Sequence, residues 1–301
     1  MKKLKDYYQI FSCFFFSLLG YQVKLELLTN SIENIVFYRS FFGTVILLIF
    51  FIFNIKESLT KDFNSDNIFL HILRSIFGVL AMYFGYNSLN YLTLSQASTV
   101  SFTKVFFSSI LAFLIFKEKV SYLVFFLLII GFIGVILTSE PQNFNNNLGL
   151  YMALFSAFCV SGGIISISYL SKHENTKKIL LYHSFLSSII FFFLFNESIT
   201  FNFSNFQNYL TITITAIIGQ YFNTESYKDS STNKVMILSY SRIIFSTALG
   251  FFFMNENLSF SNILGVIIII LTSFMNKNLS ISNILSVIII ILTSFMIKKK
   301  N

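Results

Sequence analysis

The sequence has no tryptophan, one proline, two cysteines and three histidines in 301 residues, and charged side chains make up only 11% of it. Each shortage excludes something. Cys13 and Cys159 offer neither a disulfide framework nor a zinc spacing, and read as small packing residues. There is no P-loop, HExxH, CxxC or glycine-rich dinucleotide fingerprint, so nothing points to an enzyme, a metal centre or a cofactor, and no ATP hydrolysis within this chain is implied. The scarcity of charge, with 55% hydrophobic residues and a mean hydropathy of +0.72, excludes an ordinary soluble domain. Missing tryptophan and proline go with an abundance of Phe, Ile, Asn and Lys and carry no functional weight; tyrosines near segment ends take the interfacial anchoring.

What is present is a succession of apolar runs. They lie at about 8–28, 35–53, 69–91, 97–116, 120–138, 148–170, 179–195, 210–227, 235–254, 258–275 and 280–297, each close to the ~20 residues that span a bilayer as a helix. Runs such as VIIIIL do not alternate, which excludes an outer-membrane barrel. The fold class is therefore all-α integral membrane. With a cytoplasmic N-terminus, the inner segments hold Lys2, Lys3, Lys5, Lys56, Lys61, Lys117, Lys119, Lys172, Lys177, Lys178, Lys228, Lys234 and Lys277, while the outer loops hold Lys24 alone. That is the positive-inside bias, so the net charge of +8 is a topology signal facing anionic lipid and implies no nucleic acid. MKKLK followed by an apolar stretch resembles a signal peptide, but GYQVKLE brings no small-residue cleavage site and the run reads as a retained first helix.

The two halves repeat. SFTKVFFSSILAFLIFKE (Ser101 to Glu118) recurs as SYSRIIFSTALGFFFMNE (Ser239 to Glu256), an offset of 138 residues that pairs Phe107 with Phe245, Ser108 with Ser246 and Lys104 with Arg242. The offset extends upstream to Tyr83-Phe84 with Tyr221-Phe222, and Ser88 with Ser226. YRSFFG at Tyr38 repeats as YHSFLS at Tyr182, at an offset of 144. A second duplication closes the chain: NLSFSNILGVIIIILTSFMNK (Asn257 to Lys277) and NLSISNILSVIIIILTSFMIK (Asn278 to Lys298) differ at three of 21 positions. If the second copy spans, Lys298, Lys299 and Lys300 fall outside, against the charge rule; if it does not, the tail stays inside.

All three arginines, Arg39, Arg74 and Arg242, lie in apolar segments, as does Lys104. An ionisable group there costs several kcal/mol unless it faces a cavity or a partner. Lys104 and Arg242 each lie about eight residues into a helix, roughly 12 Å deep and beyond easy snorkelling. Each faces a substrate or pairs with backbone carbonyls or a carboxylate. Arg39 and His183 form the other symmetric pair, nearer the interface. His71 and Arg74 share one helical face, as interfacial anchors or as the mouth of a pathway. Glu225 is either a surface partner of Lys228 or a carboxylate partner of Arg242 that exchanges a proton or takes a substrate's cationic part. Gln220, Asn223, Tyr83, Tyr86, Tyr221 and Tyr240 are candidate wall residues. A duplicated membrane protein with paired internal cations reads as a transporter built from two repeats.

These segments resemble the drug/metabolite transporter superfamily, EamA type, over about residues 8–275. The resemblance rests on FYRSFFGTVIL, HILRSIFGVLAMYFGYNSLNYLTLSQAS, the helix ends FKEKVS and MNENLS, GFIGVILTSEP, and IIGQYFNTESYKDSSTNKVMILSYSR. It implies ten helices around a central cavity with alternating access, as two inverted five-helix repeats: 1–140, then 141–277, with 278–301 a tandem copy of the last helix. HILR also resembles bacterial S-adenosylmethionine uptake carriers. Two departures stand out: Val105 and Ile243 occupy positions where the family often has proline, and cations at the level of Lys104 and Arg242 are not a general family feature. The expected function is a bacterial inner-membrane secondary transporter, a permease for a small anionic or zwitterionic metabolite, S-adenosylmethionine among the candidates. The expected substrate-binding residues are Lys104, Arg242, Arg39, Glu225, Arg74, His183, Tyr240, Gln220 and Asn223. The alternative is a lipid or lipid-linked head-group carrier or flippase of the same superfamily. Partners are the small-molecule substrate and membrane lipid; the sequence fixes no oligomeric state.

Overall fold

A computed structural model describes residues 7–53, 65–117, 122–139, 147–200, 202–256 and, beyond these, 261, 264, 265, 267 and 268. The helices are α1 (Tyr8–Glu26), α2 (Ile32–Phe53), α3 (Ile68–Ser88), α4 (Leu94–Ser101), α5 (Lys104–Phe116), α6 (Tyr122–Ser139), α7 (Asn147–His173), α8 (Thr176–Phe195), α9 (Phe206–Lys228), α10 (Thr232–Ser239) and α11 (Ser241–Phe253). Among the described residues there is no strand. The duplicated C-terminal segments, and with them the eleventh span and the tail lysines, lie outside the described residues apart from the five isolated positions. So do Glu118 and Lys119.

Against ten spans expected, six stretches among the described residues are long and apolar enough to cross a membrane: Ile32–Ile52, Ile68–Ser88, Leu94–Phe116, Leu148–His173, Thr176–Phe195 and Lys234–Phe253. Helices α1 and α9 are among those that fall below that measure. Their polar residues account for it, and several lie inside the bundle, with Gln9, Ser12, Ser17, Thr213, Thr215 and Thr224 all buried. Polar groups in such helices are tolerated where protein, and not lipid, surrounds them.

The halves match in their elements as well as their letters. Helices α4 and α10 share both ends at the 138-residue offset, α3 and α9 share their starts at that offset, and α2 and α8 start 144 residues apart. The packing also exchanges: α3 lies on α7 and α9 on α1, α5 on α7 and α11 on α1, α4 on α11 and α10 on α5, while α2 lies on its own counterpart α8.

Two of the apolar segments are broken, and at the same place. The first breaks at Phe102 and Thr103, between α4 and α5; the second breaks at Tyr240, between α10 and α11. No proline is needed. The break is a tightened turn, in which the Val105 N–H bonds the Phe102 carbonyl at 2.9 Å and the Ile243 N–H the Tyr240 carbonyl at 3.0 Å. Side-chain donors reach backbone carbonyls around the breaks: the Ser17 hydroxyl donates to the Arg242 carbonyl at 3.0 Å, Cys13 Sγ to the Ser239 carbonyl at 3.6 Å and Thr103 to the Val100 carbonyl at 2.9 Å. The symmetry-related rings Phe102 and Tyr240 stack with centroids 5.5 Å apart. Both segments end in a left-handed residue at the same repeat position, Lys117 and Asn255, each with φ 52°. That turn carries Glu256 back onto the start of α4, where its carboxylate accepts from the Leu94 N–H at 2.7 Å. The start of one broken segment therefore lies beside the end of the other, and the two run antiparallel.

The loops gather into two sets. At one end, Lys24 donates to the Leu92 carbonyl at 2.9 Å, Asn208 to Glu26 at 2.9 Å and Asn34 to Thr200 at 3.1 Å. At the other, His71 meets Glu174 at 3.0 Å, Thr176 donates to Glu225 at 2.6 Å, and Ser168 pairs with Thr232 at 2.8 Å. Lys172, Lys177, Lys178 and Lys228 lie at this second end, at or beside the α7–α8 turn and the C-terminus of α9.

Candidate functional site

The breaks face a cavity of about 230 Å³ in the middle of the bundle. Lys104, Arg242, Arg39, Arg74 and His183 line it, with Gln220, Asn223, Tyr86, Phe16, Cys13 and Cys159 among the wall, and among the described residues no Asp or Glu lines it. Lys104 opens α5 and Arg242 is the second residue of α11. Each thus follows its helix break by no more than a residue, which places two pseudo-symmetric cations at one level.

The cations are held without counter-charges. Lys104 is 8% exposed, and its ammonium lies 5.0 Å from the Phe102 ring centroid. The Arg242 guanidinium lies 5.7 Å from the Phe16 ring, and its Nε has no hydrogen-bond partner. Arg39 donates to the Tyr86 hydroxyl at 2.6 Å, touches Met82 Sδ and stands 5.5 Å over the Tyr86 ring. Arg74 donates to the Ile179 carbonyl at 3.0 Å, and its Nε is also unpartnered. Among the described residues none of the four makes an ion pair; the pairs are Lys24–Glu256, His71–Glu174, Lys178–Glu174 and Lys228–Glu225. Ring faces contribute ~0.5–2 kcal/mol per cation, below the several kcal/mol that a buried charge costs. The cavity is thus electrically unbalanced, and an anion entering it recovers the difference.

Seven of the nine sequence candidates meet in this space: Lys104, Arg242, Arg39, Arg74, His183, Gln220 and Asn223. His183 packs its ring against Gly78, with Nδ1 3.4 Å from the Ser187 hydroxyl. Two candidates are not brought there. The Glu225 carboxylate is 2.6 Å from the Lys228 ammonium and accepts from Thr176, so the loop end claims it and Arg242 does not. Tyr240 is buried against Phe102 behind the break. His71 lies outside the lining as well, stacked on Tyr182 at 4.4 Å and bound to Glu174.

Sequence reasoning passed over the wall contributed by α1. Gln9, Cys13, Phe16 and Gly20 line the cavity, and Gln9 bridges the halves by donating to Ser239 at 2.7 Å and accepting from Ser226 at 2.8 Å. The signal was available: Gln9, Cys13, Ser17 and Gly20 recur at helical spacing in a run otherwise filled with Phe and Leu. Cys13 is therefore a wall residue and a backbone donor as well as a packing group.

The same arrangement of helices occurs in a solved crystal structure, at a TM-score of 0.71 and 14% identity, covering 92% of this chain and 98% of that one. The EamA-like transporter family matches twice, over residues 4–140 and again over 147–278. This chain belongs to the EamA-like transporter family. Among similar proteins, the pseudopaline exporter CntI of Pseudomonas aeruginosa is 22% identical over 87% of this chain and 92% of its own length. An uncharacterized transporter of Helicobacter pylori is 25% identical over 80% and 83%. The S-adenosylmethionine uptake transporter of Rickettsia felis is 29% identical over 52% of each chain. This EamA-like protein, of the drug/metabolite transporter superfamily, is thus a membrane transporter.

Proposed function

We propose that this EamA-like protein is a bacterial inner-membrane permease that moves a small anionic or zwitterionic metabolite by alternating access. The proposal includes a cytoplasmic N-terminus and ten spans in two inverted halves, 1–140 and 141–277, with residues 278–301 as an appended copy. The observation that carries it is a central cavity with four cationic side chains and, among the described residues, no acid, at the breaks of two antiparallel helices. Broken helices at a repeat interface are where secondary transporters bind substrate, because unwound backbone is tolerated only where it lines a cavity. Lys104 and Arg242 attract the anionic group, Arg39 and Arg74 add to the field, and His183, Gln220 and Asn223 orient the rest by hydrogen bonding. Exchange of the two halves about the Phe102–Tyr240 stack would open the cavity to each side in turn. The named activities of the relatives include both export and uptake, so they suggest a metabolite without fixing direction; S-adenosylmethionine is one candidate through its carboxylate.

The test is transport of labelled metabolites into proteoliposomes containing wild type, Lys104→Ala or Arg242→Ala. Loss of transport in both variants, with normal membrane insertion, supports the reading. Wild-type rates in both variants refute it.

A further inference from the structure

We infer that the cavity takes a water-soluble dianion, a dicarboxylate or a phosphate monoester, held at two separate cationic stations; this rests on the anionic-substrate reading above and narrows it. The first station is the Lys104–Arg242 pair beside the stacked Phe102 and Tyr240. The second is Arg39, which reaches from α2 onto α3 at Met82 and Tyr86. They enter from different sides: α2 packs on α3, α8 and α9, whereas the broken segments lie against α1 and α7.

The charge count selects the ligand. Four carboxylates at the bundle ends are already engaged: Glu225 by Lys228 and Thr176, Glu174 by His71 and Lys178, Glu256 by Lys24 and the start of α4, and Glu26 by Asn30 and Asn208. None of them lines the cavity. Neutral groups alone hold the cations, namely the rings of Phe102, Phe16 and Tyr86 and the Ile179 carbonyl. A monoanion entering this space occupies one station and leaves the other without an anionic partner. A zwitterion adds a further cation beside guanidinium groups and finds no acid to receive it. Two anionic groups on one molecule satisfy both stations together, and hydrogen bonds between two charged partners are the strong ones. The same bookkeeping disfavours S-adenosylmethionine, whose ammonium and sulfonium have no carboxylate to face.

The experiment is ligand binding to the full chain in detergent micelles, by calorimetry and thermal unfolding, with matched monoanion and dianion pairs: butyrate and succinate, hexanoate and adipate, dimethyl phosphate and methyl phosphate. S-adenosylmethionine, 4-aminobutyrate and phosphatidic acid in mixed micelles complete the panel. A dianion binding at least about tenfold more tightly than its matched partner is the expected result. Arg39→Gln should shrink that advantage, weakening the dianion on the order of ten- to a hundredfold and the monoanion by clearly less. Lys104→Gln should weaken both members of a pair. If a monoanion or 4-aminobutyrate binds as tightly as the dianions and loses affinity in Lys104→Gln, the dianion inference fails while the anionic reading stands. If S-adenosylmethionine alone binds, the dianion inference fails while the broader anionic or zwitterionic reading stands. Binding of phosphatidic acid alone overturns a soluble substrate, and a panel in which no dianion binds overturns the inference. The wild-type comparison decides this even if a variant fails to fold.

Discussion

Replacing Glu256 should unfasten one end of the bundle by an amount the geometry sets. The start of α4 has four backbone N–H groups without helical partners. A capping box supplies two: Thr93 Oγ1 accepts from the Gln96 N–H at 3.1 Å and Gln96 Oε1 from the Thr93 N–H at 3.1 Å. Glu256 supplies the other two, accepting from the Leu94 N–H at 2.7 Å and the Ser95 N–H at 3.4 Å, and also from the Ser95 hydroxyl at 2.8 Å. Its side chain is 12% exposed, so water does not fully replace these bonds. Hydrogen bonds to a charged acceptor contribute about 1.5–3 kcal/mol, and a negative charge at a helix start adds about 0.3–1 kcal/mol. Counting the short backbone bond fully and the longer one in part, Glu256→Ala should cost about 2–4 kcal/mol. For a chain of this size that lowers Tm by roughly 3–6 °C. Glu256→Gln keeps one acceptor and should lose about half as much. Lys24 stands 3.7 Å from the carboxylate and is 20% exposed, so its coupling to Glu256 in a double-mutant cycle should stay below about 1 kcal/mol. The assay is thermal unfolding of purified protein in one detergent. A Glu256→Ala midpoint within 1 °C of wild type would refute the assignment of this carboxylate as the cap of α4 (the resolution of such a scan is about that fine).

Three further outcomes follow from the same contacts. Glu174, in the turn between α7 and α8, is raised by burial, but hydrogen bonds from Ser65 and His71 and the charges of His71 and Lys178 outweigh this and hold its carboxyl below the usual carboxylate value. Its contribution to stability is therefore present at neutral pH and lost as pH falls through that depressed value, so the gap between wild type and Glu174→Gln in thermal unfolding should close on acidification; a gap independent of pH would count against it. A Cβ on Gly78 would run into the His183 ring, whereas one on Gly163 meets nothing within 4 Å, so Gly78→Ala should cost about 1–3 kcal/mol and Gly163→Ala should be neutral or slightly stabilising by denaturation. Ser17→Ala removes a donor from the Arg242 carbonyl and should cost about 1 kcal/mol; since Ser246 also donates there at 3.0 Å, a loss of folded protein on this change alone would contradict the shared cap.

How much was legible divides along physical lines. Hydropathy marks membrane segments because lipid demands about twenty apolar residues in a row, and the offset of 138 residues already paired Lys104 with Arg242 in the sequence. Burial of charge in an apolar run likewise singles out Arg39 and Arg74 without any coordinates, since such placement is costly wherever it occurs. Those features are local or self-referential, and a sequence carries them openly. Which partner each group meets is not local. Glu225 lies 17 residues from Arg242 in the chain, yet it turns to Lys228, one helical turn away, and to Thr176 on another helix. Helix α1 scores poorly as a span because its polar stripe faces inward, and only the packing of α9, α10 and α11 on it shows Gln9 and Cys13 to be part of the wall. The helix breaks leave no proline as a mark; side-chain donors from α1 and the stacked rings of Phe102 and Tyr240 hold them. The sequence by itself thus determined the membrane class, the repeat and the buried cations. The tertiary structure alone decided that these cations share one cavity with no acid from the described residues, because a charge's partner is set by which helices pack together and not by its neighbours in the chain.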